Sequence, residues 1–226
     1  MFDPQKLLQQ VLGGGAEEPG QGKGGFGISK DTMKGAALGG IAGLLLGSKG
    51  GRQLAGSALQ VGGVAVLGGL AYTAWKNWQA QKAGGAPDVA SPPAPDAKFI
   101  PGPAPERNEL GLTLLSAMIA AAKADGHIDA AEQARIFAKA GESGLSAEEK
   151  GYLMDEFAKP LDLEAIAAKA TTPERAAEIY AASRLAIDVD HERETGYLDA
   201  LARRLGLEAG LRGSIDAEVR KALVPA

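Results

Sequence analysis

The chain has no cysteine among its 226 residues, which excludes disulfide bonds, thiolate metal sites and cysteine nucleophiles. It also has no run of alternating β-branched residues, the main sequence signal for strands. The basic residues around the glycine-rich apolar segment are few, are not interleaved with aromatic residues and flank an apolar helix, so we expect no nucleic-acid binding. No nucleophile arrangement, cofactor loop or substrate-positioning motif is present, and we therefore expect a protein without enzymatic activity.

Charge and glycine divide the chain into two halves. Residues 1–85 hold 8 basic and 4 acidic residues, whereas residues 86–226 hold 16 and 24, so the balance changes from +4 to −8. The first half also contains 22 of the 32 glycines and nearly all the uninterrupted apolar sequence. The two halves are therefore expected to face different surroundings.

Residues 1–34 are predicted to form a short amphipathic helix and a flexible glycine-rich linker. The helix places Leu7, Leu8, Val11 and Leu12 on one side. Two interpretations stay open for it, a weakly held terminal helix or a contact with a membrane surface. We expect no cleaved targeting peptide here, because no apolar stretch with a small-residue cleavage site follows the start.

Residues 35–82 are predicted to be a glycine-zipper membrane segment. Glycine recurs every fourth residue and lines one helix face, which lets another helix approach closely: Gly35, Gly39, Gly43, Gly47 and Gly51. Residues 53–75 carry no charge over 23 positions, long enough to span a bilayer as one helix or as part of a hairpin. Tyr72, Trp75 and Trp78 would be interfacial anchors. A soluble hairpin rich in glycine and alanine, or a low-complexity region, is the alternative.

Proline and helix-forming residues define the rest of the chain. Residues 83–105 are rich in proline and are predicted to be a semi-rigid linker. Residues 106–226 are dominated by Ala, Leu, Glu, Lys and Arg, and are predicted to be a bundle of about seven helices. The predicted fold class is thus all-α, with a helix start at the Thr172-Pro173-Glu174 cap.

An acidic turn occurs twice in the second half and contains both histidines of the chain. The copies are Asp125-Gly126-His127-Ile128-Asp129-Ala130-Ala131-Glu132 and Asp188-Val189-Asp190-His191-Glu192-Arg193-Glu194. Each copy follows an alanine-rich helical stretch and opens another, so we predict two equivalent corners of one helical domain. They are also the sites where the sequence gathers several metal-type ligands.

These segments carry a family resemblance. The second half resembles the TerB-like domain of tellurite-resistance proteins through residues 121–132, Leu185-Ala186-Ile187-Asp188-Val189-Asp190, Glu194 and Tyr197-Leu198. The whole chain resembles the YebE-type family of bacterial inner-membrane proteins through its Leu-Leu helix, Gly69-Leu70-Ala71-Tyr72-Thr73-Ala74-Trp75 and Lys159-Pro160-Leu161-Asp162-Leu163. The resemblance implies a fold and a location but no biochemical role.

The TerB resemblance implies a divalent-cation site in the two turns. The residues that match its pattern are Asp125, Asp129, Glu132, Asp188, Asp190 and Glu194. Their hard oxygens suit Ca²⁺, Mg²⁺ or Mn²⁺, and His127 and His191 would extend the choice to Zn²⁺. In a second interpretation these residues cap helices without a metal, because Asp and Glu are favoured at helix starts.

Three functional hypotheses follow. The leading one is a membrane-anchored interaction or stress-related sensing protein, which binds the lipid bilayer, a protein partner or a second copy, and a divalent cation. A metal-dependent hydrolase that uses the same turns and a purely structural membrane-associated protein are the alternatives. We expect the bacterial inner membrane as location, with the C-terminal domain on a side that the sequence leaves undetermined.

Overall fold

The computed structural model describes residues 3–5, 7–8, 63–84, 98–99, 103–124, 147–187 and 192–223. Seven helices lie in these ranges, and no β-strand occurs in them, so the all-α prediction is confirmed there. The helices are α1 (Gly63–Lys82), α2 (Ala104–Ala122), α3 (Ala147–Ala158), α4 (Leu163–Ala167), α5 (Pro173–Leu185), α6 (Glu192–Arg204) and α7 (Ala209–Leu223). Six of the seven follow the predicted linker, which agrees with a helical bundle.

Local capping explains two of the helix starts. Thr172 precedes α5, and its Oγ1 accepts a hydrogen bond from the backbone N–H of Arg175 at 3.2 Å. Pro173 then occupies the first turn, where its missing N–H costs nothing. Asp162 caps α4 in the same way, accepting from the N–H of Ala165 at 3.0 Å. The predicted cap at Thr172 is therefore confirmed.

Helix α5 is the centre of the bundle. Every residue from Ala176 to Leu185 is buried, and α1, α2, α6 and α7 all pack against it. Many of these residues are alanine, which lets neighbouring helices approach from several sides. A helix surrounded in this way has no solvent face along most of its length.

Helices α2 and α5 run in the same direction. Lys98, shortly before α2, lies 3.6 Å from a carboxyl oxygen of Glu174 in the first turn of α5. Near the other ends, Ser183 Oγ donates to the carbonyl of Ala117 at 3.4 Å. One contact thus joins the segment before α2 to the first turn of α5, and the other joins the later parts of the two helices. The last described residues after each helix therefore lie towards the same end of the bundle.

The N-terminal residues pack into this bundle. Leu7 and Leu8 have no exposed surface and belong to the hydrophobic core. The side chain of Gln5 donates to the carbonyl of Arg107 on α2, and the backbone N–H of Asp3 donates to Glu149 of α3. Residues 3–5 and 7–8 are thus held by helices that follow them by about a hundred positions or more.

Helix α1 packs against α7 and α5 along its length. Its buried residues are Val64, Leu67, Gly68, Ala71, Ala74 and Asn77. It shares residues 63–75 with the predicted span, whereas residues 53–62 and the five zipper glycines fall outside the described ranges. Among the helices that the structure describes, none combines the length and the apolarity needed to cross a membrane.

Candidate functional site

Most of the predicted metal ligands fall where the structure gives no description. Asp125, Asp129, Glu132, Asp188 and Asp190 all lie outside the described residues, as do both histidines. Glu194 is described and is buried in the first turn of α6, with 8% of its surface exposed. Within the described ranges, no group of three or more His, Asp or Glu side chains is close enough together to hold a metal ion.

Lys123 follows the end of α2, just before the first acidic turn, and contacts the end of α3. Lys123 Nζ donates to the carbonyl of Phe157 at 2.8 Å and also to the carbonyl of Lys159, at the end of α3. Burial lowers the pKa of Lys123, and the nearby carboxylate of Glu156 opposes that shift. The lysine thus binds carbonyls that the end of a helix leaves without partners.

An arginine has the equivalent role before the second acidic turn. Arg184 is almost completely buried, and its Nη1 donates to the carbonyl of Ile187 at 2.9 Å. Its Nε lies 3.6 Å from Asp216 Oδ1 on α7. Arg184 therefore fixes the backbone immediately before Asp188.

The three predicted interfacial aromatics lie on α1 and pack on one another or on Phe99. The ring centroids are 5.5 Å apart for Tyr72 and Phe99, 5.9 Å for Trp75 and Phe99, and 5.3 Å for Trp75 and Trp78, all edge to face. Such arrangements are favoured by the quadrupoles of the rings. Their role at a membrane interface stays a prediction.

Trp75 and Trp78 also line an open groove of about 430 Å³. Lys82 Nζ lies 4.5 Å from the Trp78 ring centroid and 2.7 Å from Glu208 Oε2. The groove is mainly apolar and can accept an apolar group. Its other lining residues are Ala170, Thr171, Thr172, Pro173, Ala176, Leu205, Gly206, Leu207, Glu208 and Leu211.

A buried carboxyl group lies where α5 meets α1. Glu178 has no exposed surface, and Arg175 Nη1 donates to its Oε2 at 2.8 Å. Burial raises the pKa of Glu178 to about 7, against the opposing effect of Arg175. Sequence reasoning missed this residue, although its position between Ala177 and Ile179 in an apolar helical stretch was an available signal.

A polar link joins α5 to α7. Tyr180 donates to Asp216 Oδ1 at 3.1 Å and accepts from Arg212 Nε at 3.0 Å. Burial raises the pKa of Tyr180, so its hydroxyl stays protonated at neutral pH. Its hydrogen-bonding capacity is used to hold the two helices together, which is a structural role.

These features define an all-α helical-bundle protein with a single central helix. The sequence matches the family described as "Protein of unknown function (DUF533)" over residues 31–219, and the chain belongs to that family. A curated relative, "Uncharacterized protein in ampR 5'region" of Yersinia enterocolitica, is 33% identical over 108 residues, which are 48% of this chain and 78% of the relative. No solved structure matches the chain.

Proposed function

We propose that the chain is a membrane-associated interaction protein whose TerB-like helical domain binds a divalent cation through its two acidic turns. It would be a YebE-type protein of the bacterial inner membrane, anchored or paired through the glycine-rich residues 35–82. The domain would recognise a protein partner, and the cation would control the shape of the turns rather than support catalysis. The acidic balance of residues 86–226 favours a cationic ligand.

The parallel direction of α2 and α5 is the observation that carries this proposal. Ala124 directly precedes the first acidic turn and Ile187 directly precedes the second. Both residues lie at the same end of the bundle, because the two helices run together. The chain therefore enters its two most acidic turns from one end of the molecule.

The basic residues nearest before the turns are already engaged. Lys123 binds backbone carbonyls of α3, and Arg184 binds the carbonyl of Ile187 and lies near Asp216. Neither Lys123 nor Arg184 therefore serves only as a counter-charge for the acidic turns. Carboxylates that converge repel one another unless a cation neutralises them, and oxygen ligands suit Ca²⁺, Mg²⁺ or Mn²⁺.

Thermal unfolding of the full chain with added metal tests the proposal. Millimolar Ca²⁺, Mg²⁺ or Mn²⁺, or micromolar Zn²⁺, should raise Tm by roughly 5–10 °C at a hundredfold excess over Kd, because only the folded state has the site. Asp125→Ala and Asp188→Ala should each remove most of the shift, since each deletes a ligand from one turn.

Glu109→Ala is the matched control. Glu109 is exposed on α2, more than three turns before the end of that helix, and its removal should leave the metal-induced shift unchanged. An unchanged Tm with all four metals would refute the cation site and favour the capping interpretation. An equal loss in the control would show that the effect is general charge screening.

A further inference from the structure

One carboxyl oxygen of Glu178 is completely buried and has no hydrogen-bond partner. Its Oε2 accepts from Arg175, whereas Oε1 accepts from no group. Oε1 lies at the contact between α5 and α1, where a Cβ added to Gly68 would be 3.3 Å from it. A buried acceptor without a donor is costly, because it loses hydration and gains nothing in exchange.

A second oxygen occupies the same joint. The backbone carbonyl oxygen of Phe99 lies even closer to the Gly68 Cβ position than Glu178 Oε1 does. A carboxylate and a carbonyl are both acceptors. When Glu178 is ionised, its Oε1 and the carbonyl oxygen of Phe99 are therefore two acceptors next to Gly68 in a buried contact. A protonated carboxyl group is a donor as well. A proton on Oε1 therefore supplies what the joint lacks.

The charged groups that act on Glu178, Arg175 and Glu174, lie on its own helix. Arg175 favours the ionised carboxylate, and Glu174 disfavours it, both from α5. Lys98 lies 3.6 Å from Glu174 Oε1. Helix α1 presents Gly68 here, and its first described charge, Lys76, comes two turns later.

The other helices that pack on α5 place their charges elsewhere. On α7, Asp216 faces Tyr180 and Arg184, while Arg212 binds Asp199 of α6. The charged residues of α2 are exposed: Glu106, Arg107 and Glu109. On α6, the remaining charges lie at its ends: Glu192, Arg193, Glu194, Arg203 and Arg204. None of these charged groups takes the place of a proton on Glu178 at its contact with α1.

The direction of the pH effect follows from burial. The pKa of Glu178 rises from 4.5 to about 7, first because burial disfavours the charge. Glu178 thus binds its proton more tightly when α1 is packed on α5 than when the two helices are separated. Its contribution to stability is complete below about pH 4.5 and is lost as the pH rises through about 7.

We propose that Glu178 is a proton-operated latch that holds α1 on α5. In its protonated form the carboxyl group closes the joint at Gly68 and Phe99, and in its ionised form it weakens the attachment of α1 to the bundle. The latch needs neither the metal nor the membrane of the function proposed above. It makes the joint between α1 and the bundle sensitive to pH near neutrality.

Hydrogen–deuterium exchange of the full chain measures this opening directly. After correction for intrinsic exchange, opening of α1 should be about tenfold more frequent at pH 8 than at pH 6, from the two pKa values. Amides of α6, which packs on α4 and α5, serve as the internal reference. In Glu178→Gln, which keeps the shape and a donor but cannot ionise, the pH effect should vanish.

Glu218→Gln is the matched control, since Glu218 also binds α1 through Asn77 Nδ2 at 3.1 Å. It should retain the tenfold pH effect. The latch is refuted if α1 of the natural chain opens equally at both pH values, or if Glu178→Gln keeps the dependence. A carboxyl NMR titration of Glu178 with a midpoint near 4.5 would refute it independently.

Discussion

At the scale of single residues, two adjacent glycines of α1 meet different surroundings. A Cβ added to Gly68 would collide with the carbonyl oxygen of Phe99, whereas one added to Gly69 would have no atom within 4 Å outside its own helix. Gly68 is therefore required by close packing. Gly69 is not required by packing. It adds backbone freedom to the unfolded chain, and the loss of that freedom on folding lowers the stability of the helix.

These surroundings predict opposite effects of the same substitution. Gly68→Ala should lower the free energy of unfolding by about 1–3 kcal/mol, because the added methyl group forces Phe99 or α1 to move. Gly69→Ala should raise it by about 0.5–1 kcal/mol. Urea unfolding of both variants measures the difference. Equal effects would show that α1 is not seated against Phe99 in solution.

Residue chemistry was predictable where it is local. The cap at Thr172 depends on its own side chain and on an N–H three residues later, and both can be read from the sequence. The burial of Glu178 depends on a glycine of α1 that is 110 positions away. The apolar neighbours Ala177 and Ile179 indicate that Glu178 is buried, but no local pattern shows which helix covers its carboxyl group.

At the scale of elements, the N-terminal residues and α5 illustrate the same contrast. Apolar residues at helical spacing in the sequence predict a buried face on α2, at Leu112, Leu115, Ile119 and Ala122, and on α6, at Leu198, Leu201 and Leu205. Leu115, Ile119, Leu198 and Leu201 are buried, whereas Leu112, Ala122 and Leu205 are only partly buried. The sequence did not predict that α5 is buried on all sides, because alanine carries little periodic signal. The docking of Leu7 and Leu8 was also not anticipated, since it depends on helices far along the chain.

Because Leu7 and Leu8 pack in the core, shortening one of these side chains should lower the stability of the protein strongly. Leu8→Ala should destabilise the protein by about 2–5 kcal/mol, because Leu8 has no exposed surface and its removal leaves a cavity. Leu161→Ala is the control: this side chain is 41% exposed and should change stability by less than about 0.5 kcal/mol. Thermal unfolding compares the two. Similar shifts would mean that residues 3–5 and 7–8 do not pack in solution.

At the scale of the whole molecule, α1 connects two regions of different composition. It follows the glycine-rich residues 35–62 in sequence and packs on the central helix of the acidic half. Helix α2 starts at Ala104, and the domain boundary near residue 105 stays a prediction. The sequence placed the described part of α1 in a membrane segment, and the contacts place it beside α5 and α7.

The proposed membrane association predicts how the full chain fractionates. Most of it should sediment with bacterial membranes, resist high salt and dissolve in detergent, because a mainly apolar segment is held by the hydrophobic effect and not by charge. A variant without residues 35–62 should move to the soluble fraction. Release of the full chain by salt alone would contradict the proposal. A reporter protein fused after Ala226 would then show on which side of the membrane the C-terminal domain lies.

The contact between Asp3 and Glu149 also has a temporal consequence. Its two residues are 146 positions apart in the chain. At 5–20 residues per second, the ribosome makes Glu149 roughly 7–30 s after Asp3. Throughout that interval the N-terminal residues lack α3, and for most of it they also lack α2, the two helices to which Asp3 and Gln5 are hydrogen-bonded. The nascent chain thus presents an apolar segment to chaperones or targeting factors for seconds before it can fold onto its own partner.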